Sequence, residues 1–163
     1  MRHGGPPETF AAALFITARS KYHFGPEYSP MVKYLTAYLA ILVVMVLLDA
    51  LWIGVIAKPL YLEGIGHLMA PQPNVPVAVL FYGVYAAGLM YFVVGADAAA
   101  SGWMQTLIRG ALFGFFAYAT YDLTNLATLR DWPITLSIVD MMWGSLISAA
   151  SASAGRMALN GSA

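Results

Sequence analysis

Along the chain, apolar residues gather in four long blocks separated by short polar or proline-rich breaks. A helix that crosses the hydrocarbon core of a bilayer needs about 20 mainly apolar residues, and each block is long enough. The first, 34–57, is nearly uninterrupted through Ile41-Leu-Val-Val-Met-Val-Leu-Leu48. The second, 76–96, opens on Pro76, a residue suited to a first helical turn. The third, 105–129, is apolar and aromatic apart from Arg109, Asp122 and Asn125. The fourth, 134–154, follows Trp132-Pro133 and becomes rich in Ser and Ala. Lipid offers the backbone no hydrogen-bond partners, so these blocks are predicted to be helices. The breaks at 97–104 and 130–133 are tight, which makes neighbouring helices antiparallel. Lys58 to Val75 holds Pro59, Gly64, Gly66, Pro71 and Pro73 and reads as turns. The expected fold is all-α, an antiparallel bundle of four transmembrane helices over residues 31–158, with no second domain.

Composition agrees with that pattern. Of 163 residues, 60% are apolar and 10% charged, and the mean hydropathy is +0.70. Soluble domains carry roughly 25% charged residues, so an ordinary cytosolic domain is excluded. Eight Lys/Arg balance eight Asp/Glu, which excludes binding to nucleic acid through bulk charge and leaves membrane lipid as the expected surroundings. The absence of cysteine removes disulfides, thiolate metal sites and cysteine nucleophiles.

Residues 1–30 differ from the rest, with four prolines and one apolar run, Phe10 to Ala18, too short to span. Two readings stay open: an interfacial or disordered extension, or a start placed ahead of a working Met31. Lys and Arg near the helix ends set the orientation. Arg2, Arg19, Lys21, Lys33, Arg109 and Arg156 fall on one side, Lys58 and Arg130 on the other. This places both termini in the cytoplasm.

An ionisable residue inside a spanning helix marks a functional site by default. Three acids qualify: Asp49, Asp122 and Asp140. At 1.5 Å per residue they lie about 12, 10 and 9 Å below the outer surface, on helices of alternating direction. Tyr118, Asp122 and Asn125 share one face of the third helix, and Tyr82 and Tyr85 one face of the second. Asp49-x-x-Trp52 and Asp140-x-x-Trp143 repeat a pairing of acid and indole. Together these predict a polar pocket in the outer half of the bilayer, open or nearly open to the outer side. Its expected binding residues are Asp49, Trp52, Tyr82, Tyr85, Tyr118, Asp122, Asn125, Asp140 and Trp143. Close carboxylates in such a place suit proton exchange, binding of a cation or amine against Trp and Tyr faces, or acid–base work on a lipid-borne group.

Other signals are weaker. Glu63 and His67 lack further ligands for a metal, so no metal or cofactor is expected. Gly110-x-x-x-Gly114 and Gly144-x-x-x-Ser148-x-x-x-Ala152 are small-residue ridges suited to helix packing, inside the chain or against a second copy in a homo-oligomer.

The string Tyr118-Ala-Thr-Tyr-Asp-Leu-Thr-Asn-Leu-Ala-Thr-Leu129, followed by Trp132-Pro133 and Asp140-Met-Met-Trp-Gly144, resembles a bacterial family of membrane proteins known as domain of unknown function 2177. Leu48-Asp-Ala-Leu-Trp52, Gly66-His-Leu68, Phe81-Tyr82 and Tyr85 carry the likeness further, over about 31–150. The resemblance implies a multi-pass protein of the bacterial inner membrane; the family has no assigned activity, so it supplies no catalytic residues to carry over. Three functions remain: binding or transport of a proton, cation or amphipathic small molecule; a lipid-modifying enzyme or its accessory subunit; or a structural, assembly role in which the acids only specify packing.

Overall fold

A computed structural model of the chain describes residues 29–95 and 102–161; the reading of the N-terminal extension falls almost wholly outside them. All regular structure in the described residues is helical. Helix α1 (Pro30–Leu51) begins with proline in its first turn and runs on into a π-helical turn, Trp52–Ile56. A short helix, α2 (Lys58–Ile65), and a 3-10 turn, Gly66–Leu68, follow. Helix α3 (Val75–Leu89) is capped by Asn74, whose side chain accepts from the Val77 amide, and ends in a second π-helical turn, Met90–Val94. Helices α4 (Trp103–Thr128) and α5 (Ile134–Gly161) complete the described residues.

Among the described residues three segments, Pro30–Ile56, Val75–Val94 and Ile134–Gly161, are long and apolar enough to cross a membrane. Their outward side chains are apolar too: Val43, Leu47, Val79, Leu80, Met142 and Leu146 are all exposed. A helix apolar on every side belongs in lipid. Helix α4 has the length, at about 39 Å, yet is less apolar than these three. Thr106, Arg109, Thr120, Asp122, Thr124, Asn125 and Thr128 lie along it. The Thr120, Thr124 and Thr128 hydroxyls bond back to carbonyls one turn earlier, which satisfies them on an exposed face.

Helix α5 is the centre of the bundle, packing along α4 and α1. Glycine makes the first of these contacts possible. A methyl group at Gly114 would overlap the Gly144 carbonyl oxygen, one at Gly144 would enter the Tyr118 ring, and one at Gly110 would meet the Ala149 Cα. The two small-residue ridges therefore close on each other within one chain. This corrects their use as a homo-oligomer interface, because the close backbone approach they permit is already taken. The falling α5 number against the rising α4 number shows the pair to be antiparallel. The turn between them needs a left-handed residue at Asp131 (φ 58°), a conformation that Asp tolerates.

Helix α3 packs on α1, with the Tyr38 hydroxyl donating to the Gly83 carbonyl, and reaches α4 and α5 chiefly through its final π turn. Two apolar clusters result. The larger joins Ile41, Met45, Ala86, Leu89, Val93, Val94, Ile147 and Ala152; the smaller joins Ile65, Trp132 and Leu136 beneath α2. On α5 the first cluster begins beyond Asp140 and the second ends before it, so a polar layer lies between them.

The expected turns over 58–75 are thus corrected for the first eight residues, which are helical. Pro59 sits in the first turn of α2, where its missing N–H costs nothing.

Candidate functional site

Helix periodicity delivers the acids inward. The buried residues of α1 are Ala37, Ile41, Met45 and Asp49, each one turn after the last. On α4 Thr106, Gly110, Gly114 and Asp122 keep the same spacing, with Tyr118 filling the missing step. On α5 Leu136, Ser137, Asp140 and Gly144 share the buried face. Exposure is 3% for Asp49, 0% for Asp122 and 3% for Asp140. The acids are enclosed, so the pocket expected to be open or nearly open to the outer side is covered instead. The cause is α2: it lies across the end of the bundle, with Ile65 on Trp132 and Leu136, and Gly64 in close contact with Pro133.

The acids form a row rather than a single cluster. Asp140 is the middle member, in electrostatic reach of both Asp49 and Asp122. Asp49 accepts a hydrogen bond from the Trp143 indole N–H at 2.9 Å, and Trp143 stacks flat on Trp52 with ring centres 4.3 Å apart and planes 7° from parallel. The Tyr82 hydroxyl neighbours the same carboxylate, and Tyr85 and Tyr118 lie in electrostatic reach of it. Tyr85 shares a hydrogen bond of 2.7 Å with Ser148, in which either hydroxyl can donate. Each half of the repeated acid–indole pairing thus meets the other: the α5 tryptophan serves the α1 aspartate and stacks on the α1 tryptophan.

At the α2 end, the Tyr61 hydroxyl donates to Asp140 Oδ1 at 2.5 Å. Burial, then this contact with the carboxylate, pushes the Tyr61 phenol far above its ordinary range. The Trp52 indole N–H lies near that hydroxyl without hydrogen-bond geometry, and is buried without a partner among the described residues. The Ser137 hydroxyl accepts from the Trp132 indole at 3.0 Å and keeps its own hydrogen for the neighbouring Asp122, whose two buried oxygens have no hydrogen bond of full geometry among the described residues. Asn125 is half-buried beside Tyr121, away from the Asp49 end of the row.

Tyr61, Ser137 and Ser148 are the site's neighbours that sequence reasoning missed. Helical spacing links Ser137, Asp140, Ser148 and Ser151 on α5, and that signal was available; nothing local marks Tyr61, whose partner is 79 residues away. Arg156, counted among the charges at the membrane surface, is instead buried. Its guanidinium donates to the Gly102 carbonyl at 2.9 Å and to the Thr106 hydroxyl, and lies 4.9 Å over the Trp103 ring. Lys58, Glu63, His67, Arg109 and Arg130 are exposed. Among the described residues no three His, Cys, Asp or Glu side chains are placed to hold a metal ion. An apolar groove of about 390 Å³, lined by Phe115, Ile138, Met141, Met142, Ser145 and Leu146, opens elsewhere, and none of the aspartates lines it.

An enclosed row of carboxyl groups, walled by Trp and Tyr and capped by a short helix, can hold protons or a compact cation without exposing either to lipid. No curated protein and no solved structure matches the chain. A family model described as a predicted membrane protein, DUF2177, matches residues 34–157, which take in most of α1, all of α2 to α4, the carboxyl row and most of α5. The chain belongs to that family of membrane proteins.

Proposed function

We propose that this membrane protein binds an exchangeable proton or small cation at its buried carboxyl row, with α4 as a fourth spanning helix and both termini on the cytoplasmic side of a bacterial inner membrane. One observation carries the reading. Asp122 is wholly buried, and neither of its oxygens has a hydrogen bond of full geometry among the described residues, with the Ser137 hydroxyl close by and no cationic side chain placed to neutralise it there. An ionised carboxylate left alone in such surroundings costs several kcal/mol. Asp122 is therefore neutralised, by a proton of its own or by a cation. Asp140 supports the same conclusion from its position, since it lies between two further carboxyl groups and like charges so close do not all ionise. The hydroxyls of Tyr61, Tyr82 and Tyr118 and the stacked indoles surround the row with groups that can donate to a carboxylate or face a cation.

Infrared difference spectroscopy of the reconstituted full chain tests this. As pH is stepped, the wild-type protein is expected to show a protonated-carboxyl band that Asp122→Asn removes, or one displaced by sodium, potassium or a short alkylamine. Wild-type and Asp122→Asn spectra that coincide at every pH and with every cation would leave the acids a packing role only.

A further inference from the structure

Resting on that reading, we propose that the carboxyl row is the middle of a proton route running the length of the bundle along the buried face of α5, from Tyr61 to Thr106 and Arg156. That face carries Ser137, Asp140, Ser148, Ser151 and Arg156, all buried. Helix packing alone asks for small side chains here, and alanine would serve it; hydroxyls add a polar atom that must be satisfied. One hydroxyl on this face and one acid facing it from α4 are not satisfied. The Ser151 hydroxyl and both Asp122 oxygens are buried without hydrogen bonds of full geometry among the described residues.

The other helices fill the interval between Asp140 and Ser148. Tyr118 packs on Gly144, Trp143 ties Asp49 to the row, and Tyr85 shares its hydrogen bond with Ser148. A hydroxyl pair in which either member can donate reverses direction at little cost, as a relay requires. Ile147 and Ala152 flank the stripe and join the apolar cluster with Ile41 and Leu89, which insulates it.

The chemistry selects the proton. A metal cation needs several oxygen ligands at once, and among the described residues no three acidic or histidine side chains converge. A proton passes between a hydroxyl and a carboxyl without a coordination shell. In each step one group gains the proton its neighbour gives up, so a pH difference or membrane potential drives net movement with no co-reactant. The titratable groups facing the acids are Tyr61 and Tyr121 for Asp122, Tyr61, Tyr118 and Tyr121 for Asp140, and Tyr82, Tyr85 and Tyr118 for Asp49, with Asp140 facing both other acids.

The test uses the full chain in liposomes that enclose a pH-sensitive dye, with a potassium diffusion potential set by valinomycin. Wild-type vesicles are expected to change internal pH faster than protein-free vesicles. Asp122→Asn and Ser151→Ala should each lower that rate roughly tenfold, as expected where removing one proton-carrying group raises the barrier by about 1.4 kcal/mol. Ser153→Ala, whose hydroxyl bonds the Ala149 carbonyl off the stripe, should leave it unchanged. Circular dichroism confirms that each variant is folded. A wild-type rate equal to that of protein-free vesicles overturns the route, as does full activity in Ser151→Ala or an equal fall in Ser153→Ala. If the infrared titration of Asp122 persists while flux is absent, the route fails and the binding reading stands.

Discussion

Removing one oxygen from Tyr61 asks whether α2 is fastened to the carboxyl row. The phenol donates to Asp140 Oδ1 at 2.5 Å between residues 79 positions apart, and the acceptor is 3% exposed. Tyr61→Phe keeps the ring against its neighbours and deletes only the donor. Side-chain hydrogen bonds in membrane proteins average about 0.6 kcal/mol by double-mutant cycle and reach about 1.7. A carboxyl acceptor, a short distance and near-complete burial place this one toward the top, at about 1.5 kcal/mol, or a tenfold change in the unfolding equilibrium. The assay is reversible unfolding in mixed micelles of Tyr61→Phe, Asp140→Ala and the double variant. The two single losses should exceed additivity by about 1.5 kcal/mol, because each removes the same bond. Amide hydrogen exchange in α2 should quicken in either single variant. A coupling below about 0.3 kcal/mol, within the usual error of additivity, would show that α2 is held by Ile65, Trp132 and Leu136 alone, and that the polar contact fastens nothing.

Three further outcomes are expected. Tyr61 retains its proton in the folded state above the ordinary value of 10.0, so its contribution is complete below that pH and declines as pH rises beyond it. Wild-type stability should therefore fall more steeply than that of Tyr61→Phe in strongly alkaline buffer, as read from unfolding midpoints. Gly114→Ala should destabilise by about 1–3 kcal/mol through overpacking, since its methyl would meet the Gly144 carbonyl and the Ser148 hydroxyl rather than a side chain free to move; equilibrium unfolding measures this. Trp143→Phe should cost about 1 kcal/mol by depriving Asp49 of its indole donor while leaving a ring to stack on Trp52. Its companion Asp49→Asn, measured in the same micelles, should share part of that cost.

The extent to which the chain discloses its site differs from residue to residue. Asp49, Asp122 and Asp140 could be found because an acid within an apolar block is costly unless it turns inward, and fixed rise per residue then sets its depth. The glycine ridges could be found for a similar reason, since small residues one turn apart serve little besides close backbone approach. Their partner could not: the same spacing suits a second copy as well as a neighbouring helix, and only the register of α4 against α5 decides it. Arg156 shows the converse, because its position near a helix end matched a surface charge until Trp103 and Thr106 turned it inward.

The sequence by itself determined an all-helical membrane chain with its acids on inward faces, because hydrophobic blocks and helical periodicity are local properties of the chain. The tertiary structure decided the rest: that the acids form a row with Asp140 in the middle, that Trp143 serves Asp49, and that α2 closes the end through Tyr61. Those are contacts between residues 79 and 94 positions apart, set by how helices settle against one another, and no local pattern encodes which helix will lie alongside which.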